Sequence, residues 1–266
     1  MGPTEASPHD GRTPRVAVVT GGSSGIGAAS ARLLAAREWR CVLLARRPEP
    51  LQRIADELGA EHEVCDVGDR AAVERVAAAV MARHPRIALL VNNAGIPGRR
   101  GFLDLDAERI EEVVRVNYLG SVWCVRAFLP ALEAAAPADV VNVVSVAGII
   151  PVARSGPYSA AKHAQAAFSR SLRVDLAGRG VRVHTIFPGF VETEGFPQRG
   201  VLGSRLLERL VIQPERVAER IVRSVERDGG ESYVPGWYRL PALAQALAPG
   251  LLARAASPGD YRRPTR

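Results

Sequence analysis

Residues 15–37 read RVAVVTGGSSGIGAASARLLAAR, and their order decides the fold. Arg15–Thr20 is a short β-branched run, GGSSGIG follows at once, and an alanine-rich helix is predicted through Arg37. A strand that turns on glycines straight into a helix opens a parallel α/β sheet. Glycines in such a turn let the backbone reverse sharply and let a pyrophosphate approach the N-terminus of the helix. Thr20, Gly21, Ser23, Ser24, Gly25, Ile26 and Gly27 are therefore candidate cofactor-binding residues. The spacing is G-x-x-x-G-x-G rather than G-x-G-x-x-G, so a tight turn with no ligand is the competing reading.

Working outward, strands and helices alternate. Strands are predicted at Arg40–Ala45, Glu63–Asp66, Ile87–Val91, Val140–Ser145, Val181–Phe187 and Ser232–Val234. Helices are predicted at Glu49–Gly59, Arg70–Arg83, Ala107–Glu133, Pro157–Leu176 and Pro214–Arg227. The strands are continuous apolar runs, which implies a parallel sheet covered on both faces. Right-handed crossovers then collect the strand-to-helix loops on one edge, where open α/β sheets bind ligands. Thr20–Gly27, Asp66, Asn92–Gly95, Ser145 and Pro188–Gly189 all fall there. The expected organisation is a disordered leader at 1–14, one catalytic domain at 15–235, an apolar segment at 236–256 and a disordered tail at 257–266.

Composition narrows the function. The net charge of +7 could suggest nucleic acid, but the arginines are scattered among acids without aromatic interleaving, so no nucleic-acid role is expected. The three cysteines, Cys41, Cys65 and Cys124, form no CxxC or Cys/His cluster; neither disulfides nor a metal site is expected. No apolar signal region and no spanning stretch is visible, so the expected location is cytoplasmic.

The second strand ends Leu44-Ala45-Arg46-Arg47, with no acid before Glu49. A fold that prefers the 2′-hydroxyl form of a dinucleotide carries an acid there. Arginine suits a 2′-phosphate instead. Arg46 and Arg47 therefore point to NADP(H) over NAD(H).

Residues 145–162, SVAGIIPVARSGPYSAAK, carry the chemistry. Ser155 reads as a helix N-cap with Pro157 in the first turn. Tyr158 and Lys162 then share one helix face, and Ser145 closes a strand. Lys162 is the only lysine, so 34 of the 35 Lys and Arg residues are arginine. Lysine is a compact charge with rotatable donors, unlike arginine's broad fork. A phenol with a reference pKa of about 10 needs ~4 kcal/mol of phenolate stabilisation to work near pH 7. One cation at about 4 Å supplies that at an effective dielectric near 20, though not in bulk water. Tyr158 is thus the candidate acid/base, Lys162 the charge that tunes it, and Ser145 a donor to the substrate oxygen.

With these motifs in hand, the chain resembles the short-chain dehydrogenase/reductases of the compact single-domain type. The matching elements are TGGSSGIG at 20–27, Asp66-Val67, NNAG at 92–95, Asn117, Ser145, the Y-x-x-x-K pair and PGFVET at 188–193. The resemblance implies a Rossmann-type doubly wound sheet of order 3-2-1-4-5-6-7, a dinucleotide cofactor and a homodimer or homotetramer. It implies that Asp66 bonds the adenine amine, that Val67 adds backbone contacts, and that Asn92, Asn93, Ala94 and Gly95 border the cofactor. Asn117 would hold a water linking the lysine to solvent. Pro188, Gly189 and Val191 would be cofactor-binding, Thr193 would meet the nicotinamide amide, and Lys162 would also bond the nicotinamide ribose.

Residues 190–212, with glycines at 195, 200 and 203, fit a lid over the substrate, and an ordinary loop and helix is the alternative. The segment from Tyr233 onward is apolar and carries Trp237 and Tyr238. Membrane-surface contact is conceivable for it, but Pro241, Pro249 and Gly250 interrupt any long helix, which favours packing on the pocket or a partner subunit. The expected activity is NADP(H)-dependent interconversion of a ketone or aldehyde with an alcohol. A dinucleotide-sensing or interaction protein on the same scaffold is one alternative, and an epimerase or dehydratase using the same pair is another. Arg154 could meet an acidic substrate, but the substrate itself is not legible.

Overall fold

A computed structural model describes residues 15–98, 101–150, 152, 155–196 and 210–250. The expected leader and tail, Arg154, most of the lid and residues 251–256 lie outside them. Seven strands form one parallel sheet in the order β3-β2-β1-β4-β5-β6-β7. They are β1 Val16–Thr20, β2 Arg40–Ala45, β3 Glu61–Val64, β4 Leu89–Asn92, β5 Ala138–Val143, β6 Val181–Pro188 and β7 Glu231–Val234. The order agrees with the expectation, and the chain folds as a Rossmann-like unit.

Helices cover both faces: α1 Gly25–Ala35, α2 Pro48–Leu58, α3 Arg70–Arg83, α4 Ala107–Val114, α5 Gly120–Ala135, α6 Gly156–Asp175, α7 Pro214–Arg227 and α8 Arg239–Leu247. One core layer packs α3, α4, α5 and α6 on residues such as Val18, Leu90 and Val140. The other packs α1, α2 and α7 on Val19, Leu43 and Val141. Alternate residues of one strand thus feed opposite layers, which is why the central strands are apolar throughout. The edge strand β3 departs from that rule. Its sequence EHEV alternates between half-buried and exposed positions, because its side chains point in turn to a partly covered face and to an open one.

Two local expectations change. The helix predicted without a break over Ala107–Glu133 is interrupted by a π-turn at Arg115–Leu119. Asn117 lies inside it, and its Nδ2 donates to Val113 O at 2.9 Å and Ile96 O at 3.0 Å. A side chain that takes over a helix carbonyl distorts the ladder there. Ser155 does occupy the N-cap position of α6 but makes no side-chain cap bond.

Candidate active site

The carboxyl edge of the sheet gathers the expected residues. Thr20 ends β1, and its Oγ1 accepts from Asn93 N at 2.9 Å and Ala94 N at 3.0 Å while donating to Val91 O at 3.2 Å. Asn93 Nδ2 returns a bond to Thr20 O at 3.0 Å. One hydroxyl therefore clamps the NNAG turn to the glycine-rich turn. In that turn Gly27 admits no side chain, since a Cβ would lie 2.2 Å from Gly21 O. Gly21, Ser23, Ser24 and Ile26 complete it, and the Ser24 side chain at the N-cap of α1 makes no cap bond to the helix's first N–H groups. A glycine cradle opening onto uncapped helix N–H groups fits a pyrophosphate.

Farther along the edge, Asp66 follows β3 and its Oδ1 accepts from Gly68 N at 2.8 Å. Val67 is buried against Gly120. Arg46 is half exposed, with Nη1 3.8 Å from Asp66 and 3.5 Å from Glu112. Arg47 turns the other way. It binds Glu194 at 2.6 and 3.2 Å and reaches Ser24 Oγ at 3.4 Å. This ion pair raises Arg47 and lowers Glu194 from their ordinary ranges, the hydrogen bond between them being the main cause. Glu194 follows the PGFVET segment, whose Thr193 lies over Gly25. Val191 is buried and bridges to Ile212, while Thr193 Oγ1 accepts from Phe196 N at 3.1 Å. The described start of the expected lid thus rests on the glycine-rich turn.

Pro188 ends β6, and Gly189 N donates to Val234 O at 2.8 Å. The Tyr238 ring fills the space a Gly189 side chain would need, and it stacks on Trp237 at 3.9 Å. That part of the C-terminal segment packs beside the site. Leu240, Leu243 and Leu247 of α8 are exposed.

At the centre, Ser145 follows β5 by two residues, and its Oγ accepts from Ala147 N at 3.1 Å. Tyr158, one turn into α6, has the Ser145 side chain beside its phenol, close enough to oppose the upward shift of its pKa. The Tyr158 ring lies 5.7 Å from that of Phe196. Lys162 is 3% exposed, with Nζ 5.8 Å from the centre of the Tyr158 ring. Its Nζ donates to Gln165 Oε1 at 2.8 Å and Val143 O at 3.0 Å. Among the described residues no carboxylate lies within ion-pair distance of it. Ser145, Tyr158 and Lys162 therefore converge as expected.

Asn117 joins them only indirectly. Its Oδ1 accepts from Ile96 N at 3.1 Å and its amide is spent on Ile96 and Val113. It builds the π-turn beside Gly95, where a Cβ would lie 2.7 Å from Asn117 Oδ1. Both Asn117 amide hydrogens are spent, so a water at this side chain would have to donate to the second lone pair of Oδ1.

The electrostatics differ from the sequence-based expectation. Burial pushes the Tyr158 phenol up to about 12, only partly offset by the Ser145 side chain. Burial likewise holds the Lys162 ammonium down at about 7. Sequence reasoning treated the lysine as a fixed charge and so expected a lowered phenol. Desolvation of both groups is the larger effect here.

Sequence reasoning also missed a polar thread behind these groups. Asn92 Nδ2 donates to Asn142 Oδ1 at 2.9 Å, and Asn142 Nδ2 to Ser169 Oγ at 2.9 Å. Ser169 in turn bonds Thr185 at 2.7 Å. Gln165 Nε2 donates to Ser121 Oγ at 2.7 Å. A signal was present: Tyr158, Lys162, Gln165 and Ser169 recur at spacings of four, three and four, one polar stripe on an inward helix face.

Comparison with known proteins agrees with this geometry. The model of the short chain dehydrogenase family matches residues 15–200. An uncharacterised oxidoreductase of Mycobacterium tuberculosis is 44% identical over 184 residues, covering 69% of this chain and 72% of its own. A short chain dehydrogenase/reductase of Burkholderia phymatum, solved in complex with NAD, superposes with a TM-score of 0.80 at 27% identity, covering 94% of this chain and 98% of its own. A single-substitution variant of the actinorhodin polyketide ketoreductase, solved with NADPH, gives 0.77 at 30% identity, covering 84% and 96%. Fold, site geometry and sequence agree: this chain belongs to the short-chain dehydrogenase/reductase family of oxidoreductases.

Proposed function

We propose that the chain is an NADP(H)-dependent oxidoreductase that interconverts a ketone or aldehyde with an alcohol, with Tyr158 as the acid/base. The observation that carries this reading is the Ser145–Tyr158 hydroxyl pair beside a buried lysine that, among the described residues, no carboxylate neutralises. Unpaired buried charge next to a titratable group marks sites of chemistry more often than of stability.

The bound nicotinamide supplies the hydride; the protein supplies position and a proton. The raised phenol is protonated at neutral pH and so is ready to donate. Reduction turns a carbonyl oxygen into one far more basic than a phenolate, so the proton moves downhill. The phenolate left behind needs a cation. At an effective dielectric near 20, a charge about 6 Å away is worth ~3 kcal/mol. Lys162 supplies that charge while it holds its proton, and Ser145 donates to the substrate oxygen as charge develops. Reduction is therefore the direction favoured near pH 7, and alcohol oxidation accelerates as pH rises.

For the cofactor, Arg46 and Arg47 at the end of β2 favour a 2′-phosphate. The two solved relatives carry NAD in one case and NADPH in the other, so the arginines decide the proposal. Asp66, Val67, Asn92–Gly95, Pro188, Gly189, Val191 and Thr193 lie at or just beyond the carboxyl ends of their strands and are proposed to line the dinucleotide. The exposed leucines of α8 are proposed to pack on a partner subunit. The test is NADPH oxidation against a panel of ketones and aldehydes, repeated with NADH. Turnover with NADPH at a higher kcat/KM supports the reading. Cofactor binding without turnover of any carbonyl favours a sensor, and equal use of NADH removes the cofactor preference.

A further inference from the structure

Gln165 is fully buried on α6, one turn beyond Lys162, and the proposed acid/base does not need it for contact with substrate. Its amide is nevertheless fixed at both ends. Oε1 accepts from Lys162 Nζ at 2.8 Å and Nε2 donates to Ser121 Oγ at 2.7 Å. An ammonium has no acceptor, so only the carbonyl end of the amide can face it. Val143 O at 3.0 Å takes a second donor. Two of the three ammonium donors are thus anchored to the scaffold, one on β5 and one through Gln165 to α5. One remains for the reacting groups.

We propose that Gln165 is the positioning residue for Lys162: its neutral carbonyl, oriented by Ser121, holds the ammonium in place and in its charged form. The proposal rests on the oxidoreductase reading for its consequence in turnover, but not for its effect on the lysine. A neutral acceptor is the right chemistry for the task. A carboxylate in its place would hold the proton more tightly and also cancel the field that the phenolate requires. An apolar side chain would leave the ammonium with one fewer bond in a site where burial already depresses it to about 7.

Other charged groups on the packed elements are turned elsewhere. On α4, Arg109 and Glu112 bind each other while Glu108 and Glu111 are exposed. On the π-turn, Arg115 is exposed and Tyr118 packs on Phe168. On α5, burial keeps the Cys124 thiol neutral. Asp139 of β5 binds both Arg182 and His184 of β6. On α6 itself His163 is exposed. Tyr158 is the titratable group that Lys162 faces.

The single lysine makes a direct test possible. Full-length protein labelled with 13C-lysine gives one side-chain ε resonance, which is titrated by NMR in wild type, Gln165→Leu and Gln165→Glu. The alkaline limb of carbonyl reduction is recorded beside it. In Gln165→Leu the lysine midpoint falls by about one pH unit, a tenfold change in proton affinity, and the alkaline limb moves the same way. In Gln165→Glu the midpoint rises while turnover at neutral pH falls. If Gln165→Leu does not fold, the rise in Gln165→Glu carries the test alone. Unchanged midpoints, or shifts of one sign in both variants, overturn the proposal. Shifted midpoints without turnover in any variant, wild type included, uphold Gln165 and overturn the oxidoreductase reading instead.

Discussion

The two edges of the sheet each hold a cation, partly exposed at one and buried at the other, and they treat it in opposite ways. Near the amino edge, Arg182 binds both oxygens of Asp139 at 2.8 and 2.9 Å, and the fully buried His184 meets the same carboxylate at 2.8 Å. The pairing raises Arg182 above its ordinary range, chiefly through the bond to Asp139. At the carboxyl edge the partners of Lys162 among the described residues are neutral, and burial lowers it to about 7. A paired charge is held in one protonation state and serves as a strut. An unpaired one titrates near neutrality and can take part in proton chemistry. The difference between a brace and a site lies in the presence of one carboxylate.

The largest expected effect separates the edges by activity. Tyr158→Phe removes the proton donor and lowers turnover by about a thousandfold, with dinucleotide affinity retained in a binding titration. A rate near that of wild type would dissolve the distinction.

Next comes Lys162→Met, read as stability against pH. An unfolded lysine keeps its proton to about pH 10.5, while the folded one releases it near 7. Between those values the unfolded chain binds more protons, so wild-type stability rises with pH. The variant should therefore gain on wild type by about 2–3 kcal/mol more at pH 6 than at pH 9. Denaturant melts at both pH values check this, and a pH-independent difference contradicts it.

Asp139→Asn should do the reverse, lowering stability by about 2 kcal/mol because Arg182 and His184 lose their carboxylate; partial exposure of Arg182 keeps the cost below that of a fully buried pair. Its turnover should stay within about twofold of wild type, since the strut lies away from the chemistry. The smallest effect is expected at the outer end of the site. Arg46→Asp should shift the ratio of kcat/KM values for NADPH and NADH by about tenfold toward NADH.

Much of this was legible in the sequence, for physical reasons. The β1–turn–α1 unit and the convergence of Ser145, Tyr158 and Lys162 follow from local signals: apolar runs, glycines and helical spacing; the strand order comes from the family resemblance, not from those signals. What was not legible depends on contacts between distant segments. Asn117 bends its helix only because Ile96 and Val113 offer backbone partners. Arg47 is claimed by Glu194, 147 residues away, rather than left open beside the turn. The directions of the Tyr158 and Lys162 shifts depend on burial, which no spacing reports. The Asp139 strut shows the same limit, since nothing around residue 139 announces its partners at 182 and 184.

The central claim is that the chain's one ammonium group makes the neighbouring phenol a usable acid, and Lys162→Arg tests it most directly. Carbonyl reduction with NADPH is measured on wild type and variant across neutral to alkaline pH. Arginine keeps a positive charge but cannot fit the space between Gln165 and Val143 as a compact donor. The account predicts a loss of about a hundredfold or more in turnover with NADPH still bound. A rate within a few-fold of wild type, with an unchanged pH profile, would contradict it.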